Sequence, residues 1–581
     1  DTATSEAIFV YLNGKSEAPT EGTKVRAKGE VKEFYKRTQL TLSESIVDCG
    51  AGENIAARYV TMPIANLADW EALEGMKVAF EQYLHVTDSY DLAQYGELTL
   101  SYGRLVIPTN VYRPGSSQAI ALAERNARNV ILIDDKNSSQ YPEFVPFPSA
   151  GLNYNSTVRL GDSVQNLIGI LDYSYSAYRV LPTVAPTFSV ANPRSSSPTV
   201  GSTSEVKVAS FNVLNYFNGD GQGGGFPTSR GADTFEEFTR QSNKVVAAIA
   251  EINADVVGLM EIENDGFGEL SAIAELTSNL NNVMGAGTYQ YVSLDADRIG
   301  GDKVTVGMLY KPSKVATVNN GATTEQVPFD YGNRPPLVQS FKAVADDTVF
   351  TVAVNHLKAK AGCSSATGNN VDLGDGQGCW NEKRTQAAQG LISLVEQNSD
   401  VLSDRVIVMG DLNAYAKEEP ILALEEAGYS NLVNFFDGDS AYSYSFGGEI
   451  GYLDHALSSP SLTEYVVDAT VWHINADEPR VFDYNVEFKS DTQLSSYYGA
   501  DAYRSSDHDP VVVVLNFPEE VTVGDFDGDN DVDYNDIMAF YQLFLQGQAT
   551  GENYDFNGDG QISFFDIQAL MAMCTRANCA I

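Results

Sequence analysis

Positive charge is scarce in this chain: 37 Lys and Arg stand against 78 Asp and Glu over 581 residues, a formal net charge of -41. A global field that draws in a polyanion is thereby excluded, so any handling of nucleic acid must rely on metal ions and a local group of cations. By itself the bulk acidity reads as a surface suited to saline surroundings. Long apolar runs are missing too: nothing approaches the ~20 residues that span a bilayer as a helix, and the longest strand-like stretch is Val511 to Leu515. Histidine is limited to His85, His356, His455, His473 and His508. The five cysteines are too few to staple a chain of this length throughout. Cys363 with Cys379 and Cys574 with Cys579 are close enough for local bridges, which suits an oxidising compartment. Cys49 is left over, either as a free buried thiol or with a partner outside the chain.

At this length one core does not suffice, and about three folding units are expected. The opening at Asp1, with no initiator Met and no charged-then-apolar leader, has the form of a processed secreted protein, extracellular or periplasmic. Residues 1–180 carry short alternating strands such as Thr23 to Gly29 and Leu98 to Tyr102, which suggest a small β-barrel. Residues 181–204 are rich in Pro, Ser and Thr and read as an extended linker. Over 205–517 strands and helices interleave. Thr234 to Ile252 places Phe235, Phe238, Val245, Val246 and Ile249 near helical spacing and leads into the apolar strand Val256 to Met260. Residues 518–581 hold two Asp-rich loops thirty residues apart, each followed by a helix-compatible pattern, which marks a repeat.

Within 205–517 four apolar strands each end in a group able to hold a metal or move a proton. Val206 to Phe211 ends in Asn212, Val256 to Met260 in Glu261, Phe350 to Asn355 in His356, and Val406 to Gly410 in Asp411 with Asn413 beyond. A fifth strand, Val511 to Leu515, follows Ser-Asp-His-Asp-Pro (506–510). Residues at strand ends project along one sheet edge, where loops can hold a ligand.

The strings Ser-Phe-Asn-Val-Leu-Asn (210–215), Met-Glu-Ile-Glu (260–263), Asn-His-Leu-Lys (355–358), Gly-Asp-Leu-Asn-Ala (410–414), Tyr-Leu-Asp-His (452–455) and Ser-Asp-His-Asp-Pro (506–510) stand in the order found in the endonuclease/exonuclease/phosphatase superfamily, which the chain resembles. Within it the chain looks like the large secreted bacterial endonucleases, whose preceding OB-like β-barrel domain Arg104 to Thr109 and Asn129 to Asp135 resemble. That resemblance implies an α/β fold, a four-layer α/β/β/α sandwich with metal and substrate at one edge. It makes Glu261 the principal ligand of Mg²⁺ or Mn²⁺, helped by Asn212 and Asp507. His508 becomes the general base, oriented by Asp454, and His356 the general acid or a donor to a phosphate oxygen. Asp411 and Asn413 hold the nucleophile or a second ion, Arg334 clamps the scissile phosphate, and Asp302 is the expected partner of His356. Such chemistry needs these types, because a metal neutralises a phosphate oxygen while histidines exchange protons near neutral pH. Lys358, Lys360, Lys383 and Arg384 are candidates for the local basic patch.

In the C-terminal repeat, Asp525, Asp527, Asp529, Asp531, Asp533 and Asp536 occupy alternate positions and the end of a twelve-residue loop. Asp555, Asn557, Asp559, Gln561 and Asp566 repeat the pattern. Alternate oxygens converging on one point are what Ca²⁺ takes. Both loops end in Asp rather than Glu, so the segment resembles a dockerin-type calcium repeat, a small α-helical domain for which a protein partner is a further expectation. Together these features imply a secreted monomeric endonuclease for DNA, with RNA as a further candidate. Two alternatives stay open: the same chemistry on small phosphate esters, and a calcium-dependent binding protein with an inactive α/β domain.

Overall fold

Apolar runs bounded by polar residues are what strands buried on both faces require, and among the described residues such runs build two six-stranded sheets. Edge to edge, the first contains Gln290–Tyr291, Val304–Tyr310, Val256–Glu263, Val206–Tyr216, Val511–Leu515 and Val466–Val471. The second contains Val315–Ala322, Leu337–Ala343, Val349–His356, Val406–Asp411, Asp454–Ser458 and Ser430–Asn431. Each has one parallel pair at its centre, Val206–Tyr216 with Val256–Glu263 and Val349–His356 with Val406–Asp411. Parallel neighbours need a crossover, here the helices Phe235–Ile252 and Asn381–Gln397.

The sheets lie face to face. A Cβ built on Gly258 would meet Val354 Cγ2 at 2.6 Å, so glycine is what lets the two layers close there. Phe235–Ile252 starts at Thr234, whose side chain accepts the Glu237 N–H, and it buries Phe238, Val245 and Ile249 against the first sheet. On the second sheet Ala387, Ala388 and Leu391 pack with Val408 and Leu457. Helix, sheet, sheet and helix thus form the four layers of an α/β sandwich.

This computed structural model describes residues 4–201, 206–399, 401–517, 523–528, 531–575 and 579–580. Contacts divide the chain into two units, Asp1–Val344 with Val349–Asn516, and Ala345–Thr348 with Phe517–Ile581. No helix among the described residues is long and apolar enough to cross a membrane.

The N-terminal part of the larger unit is β-rich. Its main sheet has nine strands, running from Thr187–Ser189 at one end of the order to Arg58–Val60 at the other. The extended linker expected over 181–204 is corrected by this arrangement. Thr187–Ser189 pairs antiparallel with Ser163–Gln165, and Arg194 grips the Glu478 carboxylate with Nε at 2.8 Å and Nη2 at 2.6 Å. A three-residue strand is too short to leave periodicity in the sequence, which is why composition alone suggested a linker. Cys49, expected to be buried if free, is free and exposed. Cys363 and Cys379 are bonded, as are Cys574 and Cys579.

In the smaller unit the helices Tyr534–Leu545 and Phe564–Ala572 each begin with a capping box, Asp533 with Asp536 and Ser563 with Asp566. They share a core of Val532, Ile537, Phe540, Ile567 and Leu570. Carboxylate oxygens of Asp525, Asp527 and Asp536 lie within 4.8 Å of one another, and so do those of Asp531, Asp533 and Asp536. Asp529 lies outside the described residues. In the second loop Asp555 accepts the N–H groups of Asp559 and Gly560, Asp559 accepts that of Gln561, and Asp566 accepts that of Asn557. These oxygen donors fit a hard cation such as Ca²⁺. EGTA is therefore expected to melt the helices of this unit at lower temperature while leaving the unfolding of the larger unit unchanged. Circular dichroism over a thermal melt reads both, and an unchanged melt would count against calcium here.

Candidate active site

Two buried strands carry breaks that aim polar groups out of the sandwich. Glu261 has φ +63° inside Val256–Glu263, where the pairing with Val304–Tyr310 shifts register. Left-handed backbone at a non-glycine residue in a strand costs of order 1–3 kcal/mol and is held only where surroundings enforce it. Leu214 and Asn215 also have positive φ, and the Asn215 N–H donates to Glu261 Oε2 at 3.1 Å. The strand from Val206 accordingly runs past Asn212 to Tyr216 instead of ending at it, with its register broken after Asn212.

His356 and Asp411 stand opposite each other at the ends of the parallel pair in the second sheet. His356 Nε2 lies 3.4 Å from Asp411 Oδ2 and 4.0 Å from Glu261 Oε1. Asp411 is also held by Asn413, through its N–H at 2.9 Å and its side-chain amide at 3.1 Å, and by the Asn212 amide at 3.4 Å. Beside them, His508 Nδ1 is 2.7 Å from Asp454 Oδ2, and that oxygen also accepts the Ser443 hydroxyl at 2.6 Å. The ring of Tyr444 lies against the His508 imidazole with centroids 4.6 Å apart.

The two histidines are pushed in opposite directions. Burial opposes charge on His508, but the carboxylates of Asp454, Asp507 and Asp411 outweigh it and hold its pKa well above the ordinary value. At His356 burial, Arg334, His508 and Arg230 all act together and hold the imidazole well below it, in the neutral form. Burial raises Glu261, with Asp507 adding to the effect and His508 and Arg334 opposing it. Glu261 and Asp507 present the carboxylate oxygens that Mg²⁺ and Mn²⁺ take, while Asn212 stands beside them with its Oδ1 accepting the Leu214 N–H at 3.1 Å. The repulsion between Glu261 and Asp507 is what a divalent cation would relieve. The residues fit one.

Asp302 corrects an expectation. Its Oδ2 sits 3.2 Å from Arg334 Nε and its Oδ1 3.6 Å from Arg230 Nη2, so its partners are arginines, while the carboxylate beside His356 is Asp411. Arg334 also donates through Nη1 to the Leu357 carbonyl at 3.2 Å. The expected basic patch is corrected as well. Arg384 is fully buried, donating to the carbonyls of Lys358, Cys379 and Gln377, and Lys360 is tied to Glu418. Arg230, Ser443 and Tyr444 belong to the site and no motif announced them. Only the alternation Tyr-Ser-Tyr-Ser-Phe (442–446) hints at a strand that points alternate side chains inward.

Glu261, His356, Asp411, Asn413, Arg230, Arg334, Asp507 and His508 line one cavity of about 1010 Å³. The other histidines lie elsewhere in the fold. His455 is buried with Nε2 2.8 Å from the Ala414 carbonyl, and His473 stacks on Tyr442 and pairs with Asp509 at 3.0 Å.

Among known proteins, residues 49–192 match a domain of unknown function, and residues 523–573 match the dockerin type I domain. Such dockerin modules bind calcium and a cohesin partner and occur in extracellular proteins. A segment of 57 residues is 47% identical to a protein named "Ulvan lyase, long isoform" from Glaciecola sp. (strain KUL10), covering 10% of this chain and only 6% of that one. Similar solved structures include the catalytic domain of human Nocturnin, at 16% identity and TM-score 0.33, covering 54% of this chain and 93% of that one. A mannosyl-6-phosphatase from Bacteroides thetaiotaomicron is similar at 15% identity and TM-score 0.34, covering 54% and 100%. D. rerio TDP2 complexed with single strand DNA product is similar at 12% identity and TM-score 0.32, covering 54% and 99%. The endonuclease/exonuclease/phosphatase family matches residues 209–508, more than half of the chain and the whole of the constellation from Asn212 to His508. The chain belongs to that family, whose fold implies a hydrolase acting on phosphate esters.

Proposed function

We propose that this protein is a secreted, metal-dependent phosphodiesterase whose substrate is extracellular nucleic acid, DNA first and RNA as a further candidate. One observation carries the reading: the Asp454–His508 pair at 2.7 Å opens onto the same cavity as Glu261, Asp411, His356 and Arg334. In this reading 205–517 is the catalytic domain, 1–180 a preceding OB-like domain and 518–581 a calcium repeat that docks a protein partner, the chain being monomeric.

Glu261, with Asn212 and Asp507, would hold Mg²⁺ or Mn²⁺, which when bound neutralises charge on a phosphate oxygen. Asp454 fixes the His508 ring through Nδ1, which leaves Nε2 to take a proton from the attacking water. Of the carboxylates that hold the His508 pKa up, Asp507 is one that would face the cation whereas Asp454, the largest, would not, so a bound cation would offset part of that upward push. His356, neutral and buried, suits donation of a hydrogen bond to a phosphate oxygen better than delivery of a full proton. Asp411 and Asn413 position the nucleophile. Arg334, steadied by Asp302, and Arg230 supply the planar donors that a phosphate accepts.

A second reading keeps this chemistry and assigns small phosphate esters as substrate. It is favoured by the burial of Arg384, the pairing of Lys360 with Glu418 and the net charge of -41. Asp454→Asn tests the shared core. Removing the carboxylate that orients His508 is expected to cut kcat on a p-nitrophenyl diester by roughly 10²–10⁴-fold with little change in KM. A variant within threefold of wild type would remove the pair from the mechanism.

A further inference from the structure

Part of the catalytic cavity is built by the N-terminal β-rich region, and none of the proposed proton or metal chemistry uses that part. Ile107, Ala119, Ile120 and Ala123 line the cavity together with Phe446, His508 and Glu261. Ile120 is 52% exposed and Phe446 68% exposed, so these two side chains are open to the cavity, with Ala119, 4% exposed, packed behind them. The wall is braced from below. Leu105–Val106 pairs in parallel with Glu449 and Ile450, adding a strand to the hairpin that carries Tyr444 and Phe446. The Ile107 N–H continues the ladder to the Ile450 carbonyl at 2.9 Å. From the helix Ser117–Ala127, Asn126 donates to Glu449 Oε1 at 2.8 Å and to the Val106 carbonyl at 3.0 Å. An apolar face held this firmly beside reacting groups is a preformed binding surface.

Charge narrows its occupant. Asp372, Asp375 and Glu449 line the same cavity, and the Lys360 among them is already paired with Glu418, so the net negative charge on this side favours N–H donors over a second phosphate. The group that fits is planar, uncharged and edged with N–H donors, and it must be joined to a phosphate that reaches Arg334 and Glu261. We propose that Ile107, Ala119, Ile120 and Ala123 form a specificity subsite that takes the nucleobase next to the scissile phosphate. This rests on the phosphodiesterase reading above, and it makes the N-terminal region part of the substrate site.

Full-length protein with Mn²⁺ would be assayed on thymidine 5′-(p-nitrophenyl phosphate), which carries a base, and on methyl p-nitrophenyl phosphate, which does not. Wild type is expected to favour the base-bearing ester by at least about 10-fold in kcat/KM, the scale of one stacked base. Ile120→Asp is expected to raise KM for that ester by about 10-fold at unchanged kcat and to leave the methyl ester unaffected. Ile120→Phe, which keeps an apolar face, is expected to retain the preference and guards against a folding defect in the aspartate variant. Equal loss on both esters in Ile120→Asp, or no preference in the wild type, would overturn the subsite while leaving a phosphodiesterase in place. Failure of wild type to cleave either ester would instead sink the phosphodiesterase reading, and the subsite with it.

Discussion

His508→Ala is expected to lower kcat/KM on a phosphodiester by roughly 10³–10⁴-fold, the loss that follows when a positioned general base is removed. His508 is 6% exposed, its Nδ1 lies 2.7 Å from the Asp454 carboxylate, and the Tyr444 ring lies against its imidazole. His356 is the other imidazole that lines the cavity. His356 is held neutral by burial beside Arg334, but it already lies against Asp411 in the second sheet. Truncation leaves Asp454 buried with the Ser443 hydroxyl as its remaining side-chain donor, so some stability is lost as well. A thermal melt run beside the assay separates that loss from the loss of base, since a folded but inactive variant is the expected outcome. Hydrolysis within 10-fold of wild type by a folded variant would assign the proton to another group.

Glu261→Gln carries the second large effect, and its sign follows from local charge. Glu261 lies near Asp507, and their repulsion together with burial lifts the Glu261 pKa. Replacing the carboxylate by a carboxamide removes that repulsion, so the apo fold is expected to be as stable as wild type or more so. Divalent-cation binding should move the other way. Mn²⁺ affinity measured by titration calorimetry is expected to fall by roughly 100-fold or more, at the upper end of what even supporting groups around a metal contribute. Hydrolysis falls with it and is regained only partly at high Mn²⁺. Unchanged Mn²⁺ affinity would place the cation on other ligands.

The site was more legible than its surroundings. Glu261 and Asp411 directly follow unbroken apolar runs, and Asn212, His356 and His508 sit beside largely apolar strands, because strands buried on both faces leave little room for polar residues until they reach the edge. What sequence could not carry was distance across the chain. Asp302 lies close to the strand beginning at Val304 and was assigned to His356, yet the fold turns it toward Arg334 and Arg230. Arg384 reads as a surface cation, but three backbone carbonyls in the turn around Cys379 give it partners enough to be buried. The ion pairs of Arg104 with Asp477 at 2.6 Å and of Arg159 with Glu478 at 2.9 Å are invisible in the sequence for the same reason. Their partners Asp477 and Glu478 lie more than 300 residues away, in a segment with no motif. The left-handed conformation of Glu261 could not be read either, since glutamate carries no preference for it and only the bulge imposes it.

The most direct test of the account is hydrolysis by the purified full-length protein with Mg²⁺ or Mn²⁺ on plasmid DNA, RNA, bis-p-nitrophenyl phosphate and p-nitrophenyl phosphate, with EDTA as control. A metal-dependent phosphodiesterase of nucleic acid nicks the plasmid and cleaves the diester, is slow on the monoester and stops in EDTA; cleavage of the monoester alone, or cleavage that EDTA does not touch, would contradict it.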